Sequence, residues 1–194
     1  MRRTAQLLAA IALLGGCRGE QTPTETLAQL PPEAAASQGV LATAQNNELA
    51  TLMRATAPFQ DFATAAAAGW STEITPCMSG PEGAMGFHYG NVGLIDGVVR
   101  VDAPELLLYE PDASGQLHLV AVEYIIPYTA RSRSATPPVL FGQQFLRNDT
   151  FQLWGLHVWA WKQNPRGLFA PWNRQVSCAF ARTTSTMVHT STPD

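Results

Sequence analysis

The segment FQLWGLHVWAWKQNPRGLFAPWNRQVSC, residues 151–178, decides the fold. Within it Leu156, Val158 and Ala160 alternate with His157, Trp159 and Trp161. A period of two marks a strand, here with one aliphatic face and one face carrying an imidazole and two indoles. Asn164-Pro165-Arg166-Gly167 follows, with Pro and Gly where a type I turn favours them, and the segment closes on Cys178. It holds four of the five Trp of the 194-residue chain, so the aliphatic face should pack against helices and the remaining segments should gather around this strand.

Upstream, the chain opens with an address. Arg2 and Arg3 precede a short apolar run, residues 7–14, and Leu14-Gly15-Gly16 leads into Cys17. The run is too short to span a bilayer, and small residues before a cysteine are the pattern of a lipoprotein signal over residues 1–16, with Cys17 lipidated after cleavage. The expected location is the cell envelope, periplasm or cell surface, with the membrane as partner through the acyl anchor. Without Arg2 and Arg3, 10 basic side chains face 15 acidic ones, a balance of −5, which argues against nucleic acid as a partner. Cys77 and Cys178 then remain, and in an oxidising compartment two leftover cysteines predict one disulfide. The loop it closes, about 100 residues, corresponds to about 4 to 5 kcal/mol at most on the chain-entropy account.

Residues 17–46, rich in Gln, Thr, Pro and Ala and poor in aromatics, read as a tether. The folded domain is expected over residues 47–182, with a frayed tail at 183–194. Leu49, Leu52, Met53 and Thr56 recur at helical spacing after a cap at Asn46 or Asn47. A second helix begins near Pro58, carries Phe59, Phe62, Ala63 and Ala66 on one stripe, and ends at Gly69. Residues 77–85 read as a loop. Residues 105–110 (ELLLYE) and 117–126 (LHLVAVEYII) form a β-hairpin. The expected fold is therefore α+β: two N-terminal helices packed on an antiparallel sheet, stapled by one disulfide.

Strand alternation puts Glu123 on a face with Leu117, Leu119, Ala121 and Ile125, a costly position for an unpaired carboxylate. If residue 110 pairs with residue 118, Glu105 falls opposite Glu123, and two facing carboxylates need a shared proton or a cation. His88 lies among glycines that let backbone approach closely. His118, beside the hairpin loop, and His189, in the tail, read as solvated. No GxSxG nucleophile elbow is present.

Several motifs, Met85-Gly86-Phe87-His88-Tyr89, Val122-Glu123-Tyr124, Leu156-His157-Val158-Trp159-Ala160-Trp161 with Asn164-Pro165, Gly167 and Phe169, and Val176-Ser177-Cys178, together resemble a family of uncharacterised bacterial secreted proteins and lipoproteins over about residues 59–178. Members of that family often carry His-Asn-Pro where this chain has Gln163-Asn164-Pro165. The resemblance implies no activity.

Two functions follow from the residues. The first is a non-catalytic small-ligand-binding or structural lipoprotein whose site would draw on His88, Tyr89, Glu123, His157, Trp159 and Trp161, with indoles stacking on a flat ligand. The alternative is a metal-binding protein or metal-dependent enzyme in which His88, His157 and Glu123, with Glu105 as a further candidate, hold a divalent metal such as Zn, Fe or Mn. Against the alternative, the two histidines are far apart in sequence and a His among aromatics can serve as a hydrogen-bonded core residue.

Overall fold

The computed structural model describes residues 32–181, with side chains from residue 37 onward. The leader, Cys17, the first part of the tether and the tail with His189 lie outside the described residues. Up to Val40 the described chain is the start of a helix; from Leu41 it belongs to one compact unit.

That helix, α1, spans Pro32–Thr56. The expected start at Asn46 or Asn47 is therefore corrected: part of the stretch taken for a tether is helical. Pro at a first helical position followed by Glu and three Ala is a strong helix start, a local signal independent of the aromatic content on which the tether reading rests. The second helix is also shorter than expected. Pro58 lies in a 3-10 turn, Ala57–Gln60, after which Asp61 accepts hydrogen bonds from the N–H groups of Ala63 and Thr64, both at 3.3 Å, to cap α2, Phe62–Ala67. Gly69, at φ +115°, turns the chain out of it. No described helix is long and apolar enough to cross a membrane.

Eight strands follow among the described residues: β1 Thr72–Gly80, β2 Gly83–Gly90, β3 Leu106–Pro111, β4 Leu117–Pro127, β5 Val139–Leu140, β6 Gln143–Gln144, β7 Leu146–Asn148 and β8 Leu153–Val158. Six form a curled antiparallel sheet in the order β1-β2-β3-β4-β8-β7, and β5 and β6 pair separately. The fold is thus α+β with an antiparallel sheet, as expected. Of residues 77–85, expected as a loop, 77–80 instead complete β1 and 83–85 open β2, with Gly80 paired to Gly83 across a tight turn.

The β3–β4 hairpin forms with Glu110 opposite His118, but Leu106 rather than Glu105 faces Glu123. The register shifts between Leu108 and Tyr109, where Ala121 and Leu119 are the partners and Val120 is left over. This β-bulge changes which side chains share a face. Leu119, Val122, Tyr124 and Ile126 point toward the helices, where Leu52, Ala65, Trp154, Leu156 and Val158 complete the main core. Val120, Ala121 and Ile125 gather with Leu106, Leu108 and Trp159 on the second side. The expected common face of Leu117, Leu119, Ala121, Glu123 and Ile125 is accordingly split at Val120.

Cys77 and Cys178 form the expected disulfide, spanning 101 residues and tying the C-terminal segment to β1. The turn at Asn164 also forms, with Gly167 N–H donating to the Asn164 carbonyl at 2.9 Å.

Candidate metal centre

The site is built on the sheet face that the helices leave free. On β8, Trp154, Leu156 and Val158 face the main core, so the residues between them, Gly155 and His157, face the other way. Glu123 pairs directly with His157 across β4 and β8. His88, on β2, is two strands beyond Glu123 in the same sheet. In a flat sheet, three strand steps would separate the backbones of β2 and β8 by about 14 Å. The curl of the sheet aims the side chains inward instead, and the His88 and His157 rings meet edge-on with centroids 6.1 Å apart.

Both imidazoles point Nε2 at the same carboxylate oxygen: His88 Nε2 is 3.6 Å and His157 Nε2 3.7 Å from Glu123 Oε2. The three candidate ligand atoms all lie within 4.8 Å of one another. These separations are too long for hydrogen bonds. They come close to the spacing of two ligands on one ion, since bonds of about 2.0 to 2.1 Å at a tetrahedral angle put donor atoms about 3.4 Å apart. His157 Nε2 is buried and has no hydrogen-bond partner among the described residues.

Each ring is held from behind. His88 Nδ1 lies 2.8 Å from Thr75 Oγ1, a contact that fixes the ring and, with the proton on Nδ1, leaves the Nε2 lone pair free. The His157 ring stacks on Trp159, with centroids 6.4 Å apart and planes 13° from parallel. Trp159 is itself fixed by donating Nε1–H to the Ala170 carbonyl at 2.6 Å. Glu123 owes its place to Gly155, where a Cβ would stand 2.8 Å from Glu123 Oε1.

Burial dominates the electrostatics. It lowers the His88 pKa to about 4, against the pull of Glu123 and with further depression from His157. Burial alone lowers His157 to about 4. It raises Glu123, with His88 opposing. At neutral pH the cluster therefore presents two neutral imidazoles around a carboxyl group whose negative charge is disfavoured. A cation between them reverses that balance by stabilising the carboxylate and using both lone pairs.

Thr75, His88, Glu123 and His157 form one polar part of a cavity of about 680 Å³, within the usual range of small-molecule sites. Its walls include Met78, Met85, Leu106 and Ile125.

Of the residues expected at a site, His88, Glu123 and His157 are brought together and Trp159 backs them. Tyr89 and Trp161 are not. Tyr89 packs on Phe62 and Tyr109, toward the helices. Strand β8 ends at Val158, and the chain bends so that the N–H groups of Trp161 and Lys162 both donate to the Val120 carbonyl at the bulge. Trp161 thereby turns toward α1 and donates Nε1–H to Thr56 Oγ1 at 3.1 Å. The bulge likewise removes Glu105 from the Glu123 position; Glu105 accepts the Ile125 N–H at 3.1 Å, and its other oxygen is buried without a partner among the described residues. His118 is exposed, 2.8 Å from Asp112 Oδ2. Two supporting residues, Thr75 and Gly155, are not among those expected at the site. Thr75 carries no signal in the sequence, whereas Gly155 does, being a glycine inside an apolar strand, where close approach of another group is the common cause. No protein-family model, curated protein or solved structure matches this chain.

Proposed function

We propose that this chain is a metal-binding domain of the cell envelope that holds one divalent first-row metal ion on His88 Nε2, His157 Nε2 and the Glu123 carboxylate. Three protein ligands leave at least one coordination position for an exogenous group, and the cavity gives that group access. The lipidated Cys17 expected from the leader would tether the domain to a membrane surface. The observation that carries this proposal is the convergence of two buried imidazole Nε2 atoms on one carboxylate at distances that suit a shared ion and not direct hydrogen bonds. A purely packing role fits less well, because a buried ring nitrogen without a partner is costly.

Titration of the exported, disulfide-bonded domain with Zn(II) in competition with a chromogenic chelator tests this. One equivalent should bind tightly, and His88→Ala and His157→Ala should each weaken binding by at least about a hundredfold, beyond the usual cost of losing a supporting contact. Binding that survives both substitutions unchanged would overturn the assignment.

A further inference from the structure

The metal assignment accounts for the polar end of the cavity but not for its other end. Ile74, Leu146 and Phe151 all line the cavity, and yet they are 39%, 56% and 48% exposed. Exposed large apolar side chains scattered singly need no explanation, but three that border one opening form an apolar entrance. Leu146 pairs with Gly155, the residue that makes room for Glu123, so the entrance and the ligand cluster adjoin across β7 and β8. Leu153, Ile125 and Met85 line the same cavity. The cavity thus joins two imidazoles and one carboxylate to mostly apolar walls, with Gln143, Gln144, Arg147, Asn148, Asp149 and Thr150 as further polar lining beside Leu146 and Phe151.

That polarity profile selects an amphiphile. A divalent ion held by two neutral imidazoles and one carboxylate keeps one net positive charge, which an anionic oxygen donor completes. A ligand with such a head gains further from a hydrocarbon tail that shields the walls and the mouth from water. We infer that the cavity binds a single-tailed aliphatic carboxylate, head group on the metal held by His88, Glu123 and His157 and tail directed toward Ile74, Leu146 and Phe151. This inference rests on the metal assignment and adds the ligand class.

The test uses the full mature domain loaded with Co(II), whose visible absorption reports changes in coordination. Co(II) is titrated first, so that failure of the metal assignment is recorded on its own; if Co(II) does not bind, the inference falls with it. The Co(II)-loaded protein is then titrated with acetate, octanoate and octylammonium. Octanoate should perturb the spectrum and bind at least about a hundredfold more tightly than acetate, since its six additional methylenes are each worth up to about 0.8 kcal/mol when buried. Octylammonium should leave the spectrum unchanged. The double variant Leu146→Ser with Phe151→Ser changes two exposed positions. It should bind Co(II) and acetate as the parent does but lose about tenfold in octanoate affinity. Equal affinities for acetate and octanoate, an equal response to octylammonium, or an unaltered octanoate affinity in the double variant would each overturn the ligand class while leaving the metal site standing.

Discussion

Substituting Gly155 by Ala separates the metal account from a purely structural one. Gly155 adopts no positive φ, so its backbone conformation is open to alanine. On backbone grounds alone, replacement should stabilise the protein by about 0.5 to 1 kcal/mol, through lower entropy of the unfolded chain. The new Cβ, however, would lie 2.8 Å from Glu123 Oε1 and 3.5 Å from Leu153 Cδ1. The second distance is ordinary contact, whereas the first forces the carboxylate to move by about half an ångström, the tolerance within which a site must hold its geometry. Overpacking of this kind costs about 1 to 3 kcal/mol, so the net change should be a loss of about 1 kcal/mol, or about 2 to 4 °C in Tm for a chain of this size. Metal affinity should fall by about 10- to 100-fold, the usual cost of disturbing a contact that orients a ligand. Chelator competition and thermal unfolding of the metal-free and metal-loaded protein measure both. A Gly155→Ala protein that is more stable than the parent and binds metal equally well would refute the role given to this glycine.

Glu123→Gln keeps the side-chain shape but removes the charge that burial disfavours. The metal-free protein should be at least as stable as the parent at pH 8, while stabilisation by added Zn(II) should vanish; equal thermal shifts with Zn(II) in both proteins would contradict the assigned ligand. Glu105 gives a prediction away from the cavity. Its carboxyl is fully buried and its pKa is raised to about 7 by desolvation. A carboxyl raised above its unfolded value leaves stability intact below about pH 4.5 and lowers it progressively as pH rises to about 7, by up to about 3 kcal/mol. The two histidines act with the opposite sign. Their pKa values, lowered to about 4, make the metal-free protein lose stability as pH falls from about 6.5 toward 4. Glu105→Gln should therefore flatten the decline between pH 5 and 7.5 in urea denaturation and spare the acid-side loss; an unchanged profile would mean that Glu105 is not buried in solution.

Much of this architecture is legible in the sequence. The alternation of Leu156 and Val158 with His157 announces which face of β8 meets the helices, because a strand has no other way to place neighbours on opposite sides. The hairpin between residues 110 and 118 and the pairing of Cys77 with Cys178 follow from turn composition and cysteine arithmetic. The bulge at Val120 does not follow, since Val120 is as apolar as the residues around it and either register buries apolar groups on both faces. That single extra residue redirects Leu117 and Leu119, takes Glu105 out of register with Glu123, and supplies the carbonyl that bends the chain at Trp161 and Lys162. Likewise, His88 and Glu123 are individually conspicuous among apolar neighbours, but their convergence depends on the curl of the sheet, a sum of small twists over four strands that no local pattern records. The Trp-rich segment shows the limit from the other side. Three of its indoles donate to fixed acceptors, Arg131 and Ala170 carbonyls and Thr56 Oγ1, and thus serve the scaffold.

The central claim, that His88, Glu123 and His157 hold one metal ion, is tested most directly by metal content. The mature domain, exported so that the Cys77–Cys178 bond forms and purified without chelators, is analysed by inductively coupled plasma mass spectrometry beside His157→Ala prepared in parallel. The account predicts close to one divalent transition-metal ion per chain in the parent and a loss of most of it in the variant. Metal at background in both proteins, with the parent unable to take up added Zn(II), Fe(II) or Mn(II), would contradict it.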